Sequence, residues 1–345
     1  MRNSSARVPL VSVIILNLNG LTYLGDGLKE CLDSAINCDY QEKEVIFVDN
    51  GSVDGTADFV QHNYAGKVLV IRNGSNLGFS EGFNVGIRAS RGEFVALLSN
   101  DMVVERDWLK PMVNLMQSNP NIGLTGCKRL AYGKTGLLDG IGGDLYLCGR
   151  VKNVGFAEID RGQYDVNIGD LGFIGGSMVI RRRVLEEVGL FDPCLFIFCE
   201  DIDLCFRIRK AGYRVVYVYD AILYHRGSST LTGVWRSTRG QMFTQYMIDR
   251  NRIRTNLIHF RVRRIFSAFL IDFVWLVIEP KAVRKILLLK AYGWNLKHIG
   301  ATMRKRHDCG PSPPYGCKYG LHLSILSALL EWKHKRQIAR LGNRA

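Results

Sequence analysis

Three polar groupings in this 345-residue chain have the residue types and spacing to do chemistry. The first is Ser99-Asn100-Asp101, which ends the continuous apolar run Phe94-Val95-Ala96-Leu97-Leu98. Such a run reads as a strand buried on both faces. Its end presents a carboxylate, and one carboxylate can help hold Mg²⁺ or Mn²⁺ when other oxygens and water complete the shell. The second grouping is the acidic pair Glu200-Asp201, with Asp203 two positions on. A carboxylate in hydrogen-bond reach of a hydroxyl can take its proton. Pattern alone favours a plainer reading, in which these are first-turn acids complementing the dipole of the helix "LCFRIRKAG". The third is His225, which closes the strand-like "YRVVYVYDAILYH". Imidazole suits Mn²⁺ better than Mg²⁺, yet a lone histidine in a Tyr-rich segment also reads as a packed core residue.

Strands and helices alternate through the first hundred residues and must position these groups. Strands are expected at Val11–Asn19, Glu44–Asn50, Lys67–Asn73 and Gly92–Asp101. Helices are expected between them, at 21–37, after an N-cap at Asp54, and from about Gly78 to Ser90. Such βαβα alternation implies a parallel sheet with helices on both faces, and ligands gather at the carboxyl ends of its strands. Asn17, Asn19, Asp49, Asn50 and Asp101 all fall at such ends. Any one of them could simply cap a helix; several in one sheet point to a ligand site. No G-x-G-x-x-G follows the first strand, which counts against a dinucleotide fold.

Composition supplies a core, with 47% hydrophobic residues. The nine cysteines are odd in number, scattered and without a C-x-x-C pair, as expected of reduced thiols in a cytosolic compartment. "MRNSSARVPL" has no apolar h-region, so no cleaved secretory signal is expected. Charge is uneven. From Arg250 onward 20 Lys/Arg face 4 Asp/Glu, or +16, whereas the first 249 residues carry 26 against 28, or −2. A basic tail suits an anionic partner, membrane or nucleic acid.

Six segments in order carry a resemblance: "VDNGSVDGT" (48–56), "SNLGFSEGFNVGI" (75–87), "LLSND" (97–101), "GFIGGSMVIRRRVLEEVGLFD" (172–192), "CEDIDLCFRIRKAGYRV" (199–215) and "YHRGSS" (224–229). Together they resemble family 2 glycosyltransferases, in the rhamnosyltransferase-like branch, from about Val11 to Asn251, where "YMIDRNR" (246–252) also fits. The resemblance implies the GT-A fold, a mostly parallel central sheet with helices on both faces. It implies inverting transfer of a sugar from a UDP- or dTDP-sugar, with dTDP-rhamnose one candidate, to a glycan or lipid-linked acceptor in surface polysaccharide synthesis. By the same resemblance Asp49 accepts the N3–H of a pyrimidine, with Asn17 and Asn100 at neighbouring strand ends. Asn76, Gly78 and Asn84 match the donor-contacting loop and helix start, where a helix N-terminus would favour a diphosphate. Asp101 and His225 become ligands of Mn²⁺ or Mg²⁺, Asp201 the base, and Glu200 its support. Gly175, Gly176 and Ser177 fall in the region that borders the donor sugar and acceptor in the family, and a bend at the entry to a strand is the other reading of them. "SND" departs from the family's D-x-D, which leaves a non-catalytic nucleotide-sugar-binding relative as an alternative.

Residues 128–168 read as irregular hairpins that shape an acceptor site. Residues 1–256 are expected to form the catalytic domain and 257–345 a basic helical region. Within the latter, "IFSAFLIDFVWLVI" (265–278) is interrupted by Asp272 and is shorter than the ~20 residues that span a bilayer. "KAVRKILLLKAYGWNLKHIGATMRKRH" (281–307) reads as a basic amphipathic helix, with Ala282, Ile286, Leu289, Leu296 and Met303 near helical spacing. Tail aromatics sit among long apolar side chains with no nucleic-acid motif, so no nucleic-acid partner is expected. Peripheral attachment to the anionic inner face of the cell membrane is. "HDCGPSPPYGCKYG" (307–320) lacks zinc-site spacing and reads as a Pro/Gly turn.

Overall fold

The apolar runs form the expected strands. In the computed structural model, which describes residues 7–166, 170–227 and 237–310, β1 (Val11–Asn17), β2 (Lys43–Asp49), β3 (Leu69–Arg72) and β4 (Phe94–Ser99) are parallel, in the order β3-β2-β1-β4. The predicted helix over 21–37 is two, α1 (Gly20–Leu24) and α2 (Asp26–Ile36). Gly25 separates them with φ +55°, a left-handed conformation that suits glycine. For α3 (Thr56–Asn63) the residue at the cap position is Gly55 rather than Asp54. Asp54 still serves this end, because its carboxylate accepts from the Thr56 N–H at 3.1 Å. α4 (Gly78–Ala89) follows as expected.

One sheet face packs Val13, Ile15, Phe47 and Leu98 against Leu28 and Leu32 of α2 and against Trp108 and Met112, at the start and inside of α5 (Leu109–Ser118). Each such side chain contributes about 1.5–3 kcal/mol on burial.

Beyond β4 the sheet turns mixed. β5 (Met102–Val104) forms one edge, β6 (Ile122–Ala131) lies inside, and β7 (Leu138–Gly140) pairs with β6 off the main path. β8 (Gly143–Leu145) and β9 (Val151–Asn153) make a separate ribbon. β10 (Met178–Arg181) is antiparallel to both β4 and β6. β11 (Arg214–His225) runs parallel to β6 and antiparallel to β5. α6 (Arg182–Val188) and α7 (Glu200–Lys210) join β10 to β11. The eight cysteines among the described residues are free.

The chain divides into two compact units, residues 1–143 with 153–248, and residues 144–152 with 249–345. α8 (Thr238–His259) carries the chain from the first to the second. The second unit continues with α9 (Val262–Ile278), α10 (Ala282–Lys297) and α11 (Ile299–Cys309), so the basic helix expected over 281–307 is broken near His298. Asp272 does not face water. It is buried, accepting from Arg252 at 2.8 Å and from the Tyr292 hydroxyl at 2.6 Å. Burial would raise its carboxyl pKa, but Arg252 and Arg150 hold it below the usual range. Among the described residues no helix is long and apolar enough to cross a membrane. Most of the Pro/Gly segment read as a turn at 307–320 lies outside the described residues, as do Ser228 and Ser229.

Candidate functional site

The β1–β2 register sets Asn17 directly beside Asp49. Asn17 donates to the Asp49 carboxylate at 3.0 Å and accepts from Asn100, at the end of β4, at 2.7 Å. Ser52 adds a hydroxyl and an N–H to the two Asp49 oxygens. These three predicted residues form one buried network. Asp49 Oδ2 accepts only the Ser52 N–H among these bonds, so the carboxylate retains capacity for a further donor.

Asn76, Gly78 and Asn84 have local tasks. Asn76 accepts from the Gly78 N–H at 2.9 Å and from Asn50 at 3.0 Å. The carbonyl of Phe196 accepts from the N–H groups of Phe79 and Ser80. First-turn donors of α4, expected to serve a diphosphate, are therefore already bonded within the protein. Asn84 is a buried clamp, donating to the Phe191 carbonyl and accepting the Phe191 N–H, each at 3.0 Å.

Sheet register brings the metal candidates together. His225 ends β11 opposite Met102, the residue after Asp101. The His225 Nε2 lies 3.3 Å from Asp101 Oδ2, and the Arg226 N–H donates to the Asp101 carbonyl at 3.0 Å. Asp101 Oδ1 is buried without a hydrogen-bond partner. A buried carboxylate oxygen in that condition is costly unless a cation or donor reaches it, so Asp101 and His225 fit a divalent cation. They offer two ligands, and among the described residues no cluster of three or more His, Cys, Asp or Glu could hold a metal alone.

Sequence reading missed two members. Asp139, on β7, sits 2.9 Å from His225 Nδ1, while Arg129 of β6 donates to the same Asp139 oxygen at 3.3 Å. Burial would lower the His225 pKa, but the bonds and charges of Asp101 and Asp139 push it up to about 9. Burial would likewise raise Asp139, and its contacts with His225 and Arg129 hold it below the usual carboxylate range.

Arg129 also donates to the carbonyl of Gly175, which lies against the acidic pair. A Cβ at Gly175 would stand 2.0 Å from Asp201 Oδ2, so only glycine admits this close approach. Three non-glycine residues with positive φ, Phe196, Phe198 and Cys199, lead directly into the pair. Strain of that kind clusters at functional sites. Burial pushes Asp201 up to about 6, against the pull of the Ile202 N–H and Arg129. Glu200 is raised as well, by burial and then by the Asp201 charge, and its Oε2 is buried without a partner. Asp203 instead pairs with Arg207 at 2.9 Å, one helical turn on. Ser177 turns inward, its hydroxyl 3.2 Å from the Cys127 sulfur, while Gly176 stays beside Arg129.

Known proteins share this arrangement of strands. Over 238 residues the chain is 32% identical to an uncharacterised protein of Sinorhizobium fredii, covering 64% of this chain and 25% of that one. It is 24% identical over 232 residues to the poly-beta-1,6-N-acetyl-D-glucosamine synthase of Staphylococcus aureus, covering 64% of this chain and 53% of the synthase. The chain thus spans between a quarter and about half the length of these relatives. A mannosyltransferase from Pyrobaculum calidifontis, solved in complex with GDP-Man and Mn²⁺, superposes with a TM-score of 0.52 at 18% identity, over 86% of this chain and 76% of that one. At that identity the likeness shows the fold, and the fold is GT-A. The model of Glycosyl transferase family 2 matches residues 12–189, more than half of the chain and the stretch that builds β1 to α6, so the chain belongs to that family.

Proposed function

We propose that the protein is an inverting glycosyltransferase that moves a sugar from a UDP- or dTDP-sugar, dTDP-rhamnose among them, to a hydroxyl of a glycan or lipid-linked acceptor in surface polysaccharide synthesis. The observation that carries this reading is Asp201: a carboxylate raised to about 6, set against Gly175, and tied through Arg129 to the Asp139–His225–Asp101 group. Above that pH Asp201 is ionised and can take the acceptor hydroxyl's proton as the oxygen attacks the anomeric carbon. Glu200, whose carboxyl is pushed up by burial and by the neighbouring Asp201 charge, stands beside it as support. Asp49 has acceptor capacity left for a pyrimidine N3–H, and Asn17 and Ser52 fix its orientation. Asp101 and His225 would hold Mn²⁺ or Mg²⁺, with the donor's oxygens and water completing the shell. When bound, such a cation offsets the charge that develops on a departing diphosphate.

A panel of nucleotide sugars with Mn²⁺, scored for donor hydrolysis and for nucleotide binding, tests the reading. Cleavage confined to UDP- or dTDP-sugars is expected, with Asp49→Ala weakening pyrimidine nucleotide binding. Binding without hydrolysis or transfer would instead favour a nucleotide-sugar-binding relative, and no binding at all would end the proposal. Gly175→Ala is a sharper internal check. The added methyl must displace the Asp201 carboxylate, and a displacement of about 1 Å can cost about 10²-fold in rate. Turnover should fall that far while nucleotide affinity holds, as steady-state kinetics and calorimetry would show.

A further inference from the structure

α9 is built inside out for a protein in water. Its inward side carries Ala268, Ile271, the ion-paired Asp272, and Trp275, which packs against the cluster of Tyr146 and Cys148 and under Arg150. On its outward side are Val262, Phe266, Phe269, Leu270, Phe273 and Val277, with Phe266 68% and Phe273 64% exposed. At helical spacing these six fall within an arc of about 100°. The pattern continues on α10, where Val283, Ile286, Leu289 and Leu296 are exposed while Leu287, Leu288 and Ala291 are buried. Contiguous exposed apolar side chains on this scale mark an interaction surface.

Charge identifies the occupant. Between Asp249 and Gly310 the acidic residues are Asp249, Asp272, Glu279 and Asp308, and the first three are buried. Exposed basic residues, among them Arg261, Arg263, Lys281, Lys290 and Lys297, lie on the same helices or at their ends. A second copy of the chain would set these cations against their own kind, with almost no exposed carboxylate to answer them. An anionic lipid surface meets both needs: it takes the aromatic and aliphatic side chains at the headgroup boundary and pairs the Lys and Arg with phosphates. We propose that the exposed faces of α9 and α10 dock the protein onto an anionic membrane surface without crossing it. This inference stands apart from the transfer reaction and does not depend on it.

Co-sedimentation of the full chain with vesicles tests it, using phosphatidylcholine alone and phosphatidylcholine with one quarter phosphatidylglycerol. The chain should bind the anionic vesicles several-fold more tightly than the neutral ones. Salt should loosen it only in part, because ions screen charge and leave apolar burial intact. Phe266→Ser with Phe273→Ser should weaken binding at least about tenfold. Arg263→Gln with Lys290→Gln should weaken it about fivefold per charge. All four positions are exposed, and thermal melts followed by circular dichroism would confirm that the variants fold. Failure of the wild-type chain to bind anionic vesicles would overturn the proposal. So would concentration-dependent self-association abolished by the Phe pair, which would make this face a contact between copies.

Discussion

Asp201→Asn is expected to lower turnover by about 10²- to 10⁴-fold with nucleotide binding almost unchanged. The size follows from removing the group that accepts the acceptor's proton while leaving the donor's contacts alone. The variant should fold well, and the sign can be worked out. Burial raises the Asp201 pKa from its ordinary 3.8 to about 6, so the folded state prefers the protonated acid. The stability tied to this group is complete below 3.8 and is lost as pH rises through about 6. Asparagine carries no such charge and keeps the oxygen that accepts the Ile202 N–H. Its melting temperature at neutral pH should therefore match or exceed that of the wild type. A dead enzyme that melts no earlier separates chemistry from folding. The wild-type rate should in turn climb with pH below about 6 and level off above it. Near-normal turnover in the variant would move the base to Glu200, and a rate that does not rise through that range would contradict Asp201 as the proton acceptor.

What the sequence made legible was local. Phe94–Leu98 and Val11–Leu16 are apolar runs ended by polar residues, and a buried parallel strand needs little more to be recognised. The acidic pair and His225 could be singled out by type and, with the ordered motifs, given roles. Asp139 could not. It lies in the Gly-rich stretch Gly136–Gly143, where no periodicity marks a strand, and reaches His225 only because β7 pairs with β6 and β6 with β11. Arg129 is hidden for the same reason: its two partners, Asp139 and the Gly175 carbonyl, are 10 and 46 residues away. Asn84 is the opposite case: the motif match pointed to a ligand, and the fold adds a local task that the sequence does not show, since the backbone of Phe191, 107 residues on, takes both ends of its amide. The tail's periodicity was readable, yet its direction was not, since Asp272 turns inward only because Arg252 and Tyr292 meet it there.

Removing either side chain of the cation pair should cost binding as well as rate. Asp101→Ala and His225→Ala are each expected to weaken Mn²⁺-dependent binding of UDP or dTDP, and the double variant should cost less than the two together because both act on one ion. Asp139 provides the more discriminating test. It meets His225 at Nδ1 and so leaves Nε2, the nitrogen facing Asp101, as the one available to a cation. A carboxylate behind a ligating histidine fixes its tautomer and raises its basicity, and losing that partner typically costs about 10- to 100-fold in metal affinity. Asp139→Ala should therefore lower Mn²⁺ affinity in that range. A purely structural role for Asp139 would lower the melting temperature and leave the affinity of the folded fraction unchanged. Titration of Mn²⁺ by electron paramagnetic resonance, with and without nucleotide, measures that affinity without any turnover. Full-strength nucleotide binding that ignores EDTA, together with metal-free turnover in the wild type, would rule the ion out and leave the protein's own cations, Arg129 among them, to balance the diphosphate.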